Sequence, residues 1–269
     1  MATIVSFHAH PDDESIATGG TLARASGEGH RVVLVFGTRG ECGEVADGFL
    51  ADGEALGDRR AQEVEASAAA LGAHRVEFLG YRDSGMMGES TNDDPDCFWK
   101  ADPEEAAARL GEILSEETAD VLTVYDDHGG YGHPDHIQVH RVGHRAAELV
   151  GTPHVYESTM NRDHLRRVME AAATDDPDFE GPDLDDPEAN GGVEFGSPES
   201  VITTTVDVTD WLGAKRASMA AHASQIPEDS FFLSLPDDAF AMAFGNEWFI
   251  RTSPPALGVE DWLLPAGVE

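Results

Sequence analysis

Short apolar runs rich in β-branched residues alternate along this chain with stretches whose apolar positions recur at helical spacing. Ile4 to Phe7 reads as a buried strand, and a helix is predicted from about Ser15 to Gly27. Arg31 to Gly37 reads as a second strand and Asp58 to Leu71 as a long helix. Val76 to Leu79 is strand-like and leads into an irregular stretch, Tyr81 to Ala101. Pro103 to Glu116 has helical spacing with proline near its start, where helices tolerate it. Val121 to Tyr125 is a further strand, Asp135 to Val150 a helix, and His154 to Tyr156 the start of one more strand. This alternation predicts an α/β fold, a mainly parallel sheet flanked by helices on both faces. Ligands of such sheets sit beyond the carboxyl ends of the strands.

Residues 174 to 199 break the pattern, because Asp, Glu and Pro dominate Asp175 to Pro187; an acidic, solvated surface loop is expected there. Val201 to Val208 reads as a strand returning to the sheet, followed by a helix from Trp211 to Ser224 and a strand at Trp248 to Ile250. One domain over residues 1–269 is therefore expected, with no internal repeat.

Bulk properties narrow the functional class. The chain has no run of about 18 to 20 apolar residues, so no membrane-spanning helix is expected. Met1 to Phe7 lacks a basic region and a cleavage pattern, which predicts a first strand and a cytoplasmic protein. Seventeen Lys+Arg against 52 Asp+Glu give a net charge of −35, which repels nucleic acid and anionic lipid. Lys100 and Lys215 are the only lysines, and the acidity reads as adaptation to a salty cytoplasm that screens it. Cys42 and Cys97 are too few for a disulfide framework and are expected to be free thiols.

Chemistry concentrates in three loops that follow predicted strands. They are His8 to Glu14 (HAHPDDE), Tyr81 to Gly85 (YRDSG), and Asp126 to His136 (DDHGGYGHPDH). A His and an Asp three residues apart, at a strand end turning into a helix, can aim one imidazole and one carboxylate at a common centre. A second imidazole from the later loop makes a three-ligand site, the number catalytic zinc uses while keeping a position for water.

His10-Pro11-Asp12-Asp13-Glu14 followed by His133-Pro134-Asp135-His136 resembles the LmbE/PIG-L deacetylase superfamily. The likeness covers about the first 160 residues well and Lys215 to Ile250 more loosely; Thr38 to Glu41 and Tyr81 to Met86 add to it. The resemblance implies a Rossmann-like sheet and Zn2+, with Fe2+ as the alternative metal, held by His10, Asp13 and His136. It implies Asp12 as the general base acting on the zinc-bound water, and Tyr131 and protonated His133 as donors to the oxyanion. His133 is also a candidate acid for the leaving amine, a role Asp12 could equally fill, and Asp135 is expected to orient His133. Arg82, Asp83, Arg39 and Glu41 are the candidate substrate contacts, with a structural salt bridge as the competing reading. The expected substrate is a small N-acyl amino sugar or a related amide, such as a thiol conjugate of the mycothiol type. A homo-oligomer is an open alternative for the assembly.

Other histidines read more plainly. His8 is a packing or supporting residue, since strand alternation puts it on the face of His10. His128, His140 and His144 read as loop or helix histidines, and His222 as either a site residue or a buried hydrogen-bonded one. Glu14 is placed in a first helical turn, where a carboxylate suits the dipole. Two other enzyme classes fit less well. Non-haem iron oxygenases carry two His and a carboxylate on a β-sandwich, and a dinucleotide-binding loop needs G-x-G-x-x-G where this chain has His10-Pro11-Asp12-Asp13. A non-catalytic sugar-binding protein of the same fold is the remaining alternative.

Overall fold

The computed structural model describes residues 1–175, 184, 186, 192–256 and 258–264. Its strands are β1 (Thr3–His8), β2 (Arg31–Phe36), β3 (Arg75–Phe78), β4 (Val121–Tyr125), β5 (His154–Thr159), β6 (Thr204–Asp207) and β7 (Asn246–Ser253). They form one sheet in the order β3-β2-β1-β4-β5-β7-β6. The first five are parallel, whereas β7 runs antiparallel to β5 and β6 antiparallel to β7. Helices α1 (Gly19–Gly27), α2 (Leu56–Leu71), α3 (Pro103–Glu117), α4 (Gly129–Gly132, a single turn), α5 (Pro134–Val150), α6 (Arg162–Asp175), α7 (Leu212–Ala221), α8 (Phe231–Ser234) and α9 (Asp237–Phe244) complete it.

Alternation along the strands builds two cores. Val5 and Phe7 of β1 face one side with Val33, Val35, Leu110, Leu114, Val139 and Val142, under α3 and α5. Ile4 faces the other side with Leu22, Val32, Leu34, Phe36, Val64 and Leu71, under α1 and α2. Strands buried on both faces carry continuous apolar runs, which is why RVVLVFG reads so clearly. Leaving β1, the chain winds outward through β2 and β3, then returns to β4 on the opposite side of β1. The strand order therefore reverses between β1 and β4, and the crevice at their carboxyl ends is where doubly wound sheets bind ligands.

The predicted strands and helices are present with ends shifted by a few residues, but other features differ, and α8 and α9 are additional to those predicted. Glu14–Thr18 is a π-turn that precedes α1 instead of the first turn of a continuous helix. Helix α6 was not expected, and Thr174 and Asp175 of the predicted acidic loop close it. Most of the remaining loop, 176–183, 185 and 187–191, lies outside the described residues. Among the described residues no helix is long and apolar enough to cross a membrane, and both cysteines are free.

One buried ion pair ties the outer layer to the sheet. Lys215 of α7 pairs with Glu247 of β7 and donates to the Ile16 carbonyl at 2.7 Å. Glu247 also accepts the backbone N–H groups of Gly20 and Thr21, each at 2.8 Å, at the start of α1. Replacing Lys215 by Met leaves the Glu247 charge buried against two amides alone, and is expected to destabilise the protein by about 3–5 kcal/mol. Urea unfolding of the variant beside the parent measures this.

Candidate metal centre and active site

The first site loop begins where β1 ends. The His10 N–H donates to the Asp13 carboxylate at 2.8 Å, a local turn that brings side chain 13 back under side chain 10. Between them Asp12 adopts φ 123°, in the left-handed region that costs a residue with a Cβ on the order of 1–3 kcal/mol. The surroundings hold it there. Its N–H donates to Glu14 Oε2 at 2.9 Å, and its carbonyl accepts the Ser15 N–H and Oγ–H at 3.0 and 2.7 Å. Arg60 Nη2 reaches the Asp12 carboxylate at 3.0 Å and the Pro11 carbonyl at 2.5 Å, while Nη1 reaches the Gly40 carbonyl at 2.9 Å.

The second loop is shaped by glycine. Gly129, Gly130 and Gly132 all have positive φ, and a Cβ on Gly129 would sit 2.6 Å from His136 Cβ and 2.9 Å from the Ile137 nitrogen. Only a residue without a side chain lets this loop lie across the first turn of α5. His133 caps that helix, its Nδ1 accepting the Asp135 N–H at 3.1 Å, and Pro134 follows at the first helical position.

Side chains from both loops converge. Asp13 Oδ2 lies 3.5 Å from His10 Nδ1, and Asp13 Oδ1 lies 3.5 Å from His136 Nε2. His10, His133 and His136, all buried, each offer a ring nitrogen within 4.8 Å of the others, so the group can hold a metal ion. Behind His10, its Nε2 faces Asp135 at 3.2 Å and Asp83 at 3.5 Å. Carboxylates on the far nitrogen orient an imidazole and raise its basicity towards a metal. The Tyr125 ring stacks on His136 with centroids 4.3 Å apart, and its hydroxyl bridges Asp13 and His8 Nδ1. Tyr131 Oη lies 3.5 Å from His136 Nε2.

Charge follows this packing. Burial alone would push the Asp13 carboxyl up, but His136 and His10 outweigh it and hold it well below the carboxylate range. Burial likewise opposes charge on His10, yet Asp83, Asp13 and Asp135 raise it well above an ordinary histidine. Asp12 is pushed up to about 6 by burial, with Arg60 opposing and Asp13 adding to the rise. Burial, then His10 and His136, drive His133 well below its ordinary value. Burial lowers His8 to about 4, so it sits as a neutral hydrogen-bonded residue between Ser6, Thr18 and Tyr125.

Several expectations change. The Asp135 carboxylate does not orient His133; it is fully buried and turned to His10 and to Ser84, whose N–H it accepts at 2.9 Å. The helix start explains this, because Asp135 touches His133 only through its own backbone N–H. His133 Nδ1 accepts the Asp135 N–H, and burial works against charge on this ring. Asp83 is buried, with its oxygens on Gly85 N–H at 2.8 Å and Cys42 N–H at 3.0 Å and one of them 3.5 Å from His10 Nε2. Arg82 is exposed and paired with Asp94 at 2.9 Å, and Arg39 with Asp58 at 3.1 Å, the salt-bridge reading in both cases. Glu41 accepts the Asp83 N–H at 3.1 Å.

Sequence reasoning missed Arg60, Tyr125, Ser84 and the burial of Glu14. The Glu14 carboxylate is fully buried and accepts from Ser67 and from His222 Nε2 at 2.6 Å, which makes His222 the buried hydrogen-bonded residue. A signal for Arg60 existed: it shares the buried face of α2 with Val64, Ser67 and Leu71, at helical spacing. A cation in such a stripe needs buried acceptors.

Arg60→Met is expected to raise the Asp12 pKa above about 6, because it removes the largest influence opposing burial. Carbon-13 NMR titration of the Asp12 carboxyl in metal-free protein reads this. A pKa that stays or falls would show that Arg60 does not set it.

Residues 5–147 match the family described as PIG-L, GlcNAc-PI de-N-acetylase. The 1D-myo-inositol 2-acetamido-2-deoxy-alpha-D-glucopyranoside deacetylase of Acidothermus cellulolyticus is 42% identical over 286 aligned positions, covering 100% of this chain and 96% of its own. Among solved structures, the N,N'-diacetylchitobiose deacetylase of Pyrococcus horikoshii superposes with a TM-score of 0.58 at 24% identity, over 93% of this chain and 84% of that one. The 4-carboxy-2-hydroxymuconate hydratase of Pseudomonas putida does so with a TM-score of 0.60 at 19% identity, over 95% and 98%. These two structures share the fold alone.

Proposed function

Because this chain belongs to the GlcNAc-PI de-N-acetylase (PIG-L) family, we propose that it is a metal-dependent deacetylase hydrolysing the N-acetyl group of an N-acetylglucosaminyl-inositol. The meeting of His10, Asp13 and His136 beside Asp12, in a chain alignable end to end with a deacetylase of that substrate, carries the reading. The donor set suits a divalent cation: two imidazoles and a carboxylate match catalytic zinc, and the buried carboxylates of Asp83 and Asp135, with the half-buried ones of Asp12 and Asp13, call for positive charge. His10, Asp13 and His136 would hold it, with His133 within reach. When bound, such an ion supplies Lewis acidity to an amide carbonyl and acidifies a water.

The chain's own residues do the rest. Asp12, pushed towards neutrality and fixed by Glu14 and Arg60, takes the proton of the attacking water. The Tyr131 hydroxyl and the Nε2–H of neutral His133 donate to the oxyanion as the carbonyl becomes tetrahedral. The proton held on Asp12 then passes to the departing amine, so one carboxylate serves as base and acid. Asp83 and Asp135 keep His10 oriented and add negative charge behind it. Zinc is the metal this donor set favours, since imidazole with carboxylate is its usual catalytic combination.

Asp12→Asn is expected to keep the metal and lose activity by roughly 10²–10⁴-fold, the usual contribution of a general base. Release of amine from N-acetylglucosaminyl-inositol, N-acetylglucosamine and a mycothiol-type conjugate, with metal content measured alongside, tests this. Chelation should abolish turnover and zinc restore it; turnover that survives complete metal removal would overturn the reading. The base must be ionised, so kcat/KM should rise with pH along a limb at or below about 6, a bound cation moving it only downward.

A further inference from the structure

One helical turn beyond His136, α5 presents two more imidazoles on the same face. His140 and His144 stand four residues apart, a spacing that puts both on one side of a helix. Both reach Glu157 on β5. His144 Nε2 lies 2.8 Å from Glu157 Oε1, His140 Nδ1 lies 3.4 Å from the same oxygen, and the two rings are 4.5 Å apart. One nitrogen from each ring and one carboxylate oxygen all fall within 4.8 Å of one another. The group shares no residue with the His10 cluster. It is open to solvent at one edge, with the side chains of His140 and His144 21% and 28% exposed.

The chemistry of this set is specific. Zinc–ligand bonds of about 2.0–2.2 Å in tetrahedral geometry place ligand atoms roughly 3.3 Å apart. The His140–Glu157 separation already meets that, and the His144–Glu157 contact would open by roughly half an ångström. Burial pushes His140 towards the neutral form, which carries the lone pair a metal needs. Its Nδ1–H donates to the Tyr125 carbonyl at 3.1 Å, at the end of β4, so a cation on Nδ1 would displace that bond and leave the ring hydrogen on Nε2. Asp127, exposed beside that strand end, adds negative charge towards His140. A carboxylate buried on a central strand and faced by two imidazoles is thus satisfied by a shared proton or by a cation.

We propose that His140, His144 and Glu157 form a second divalent-cation site, preferring imidazole-seeking ions such as Zn2+ and separate from the catalytic cluster. Binding exchanges the proton shared by His144 and Glu157, released to solvent, for the ion. Two imidazoles and one carboxylate leave coordination positions for water at the open edge.

Zinc stoichiometry of the full-length protein tests this, by equilibrium dialysis in excess Mg2+, which occupies surface carboxylates but competes poorly for imidazole. His140→Ala/His144→Ala is expected to bind one zinc equivalent fewer than the parent while deacetylating at the parent's rate. His10→Ala/His136→Ala should keep the equivalent that the outer pair removes. Should the outer double variant fail to fold, His144→Gln, changed at a half-exposed position, must show the same loss. Co2+ substitution gives a second readout, since removing the outer ligands should abolish one set of visible absorption bands. Equal zinc uptake by the parent and the folded outer variants would overturn the proposal.

Discussion

The Asp13 carboxylate, held between His10 and His136 and bonded by Tyr125, is the contact on which the rest of the site depends. It draws the loop after β1 against the first turn of α5 and so fixes the crevice between β1 and β4. Concentrating carboxylates away from water is costly unless each is matched by donors or cations. The molecule meets this with local means. Asp83 and Asp135 share His10 and backbone N–H groups, Asp12 has Arg60, and Glu14 has His222 and Ser67.

The same economy explains the strained backbone at Asp12. Helix α2 brings Arg60 beneath the loop, and the buried Glu14 turns back to accept the Asp12 N–H. Residues far apart in the chain, from α2 and from the end of α7, therefore keep the proposed base in one orientation. Pre-set geometry of this kind spares the reorganisation a flexible carboxylate would need at the moment of reaction. The Lys215–Glu247 pair acts one layer further out, anchoring the start of α1 just after the π-turn that follows the motif.

The fold does not dictate the reaction. A hydratase and a deacetylase both superpose on this sheet at low identity, so the chemistry has to be argued from the side chains at the strand ends. The combination that points to amide hydrolysis is a His–Asp–His set with a carboxylate held beside it and Tyr131 and His133 close at hand.

The sequence determined a good deal by itself. Period and composition identified the parallel sheet and its flanking helices, since strands buried on both faces and amphipathic helices leave strong local patterns. The two strand-end loops stood out because such loops seldom carry so many polar side chains for packing, and their resemblance to the LmbE/PIG-L family singled out His10, Asp12, Asp13, Tyr131, His133 and His136. Tertiary structure alone decided the rest. It turned Asp135 and Asp83 towards His10, left Arg82 and Arg39 in salt bridges, brought Arg60 and Tyr125 into the site, and set His222 against the buried Glu14. It also set Glu157 against His140 and His144, which the sequence presents only as unremarkable helix positions and a strand residue. The reason is physical: a side chain's partner across the fold depends on strand register and helix placement, and neither leaves a trace in the local order of residues.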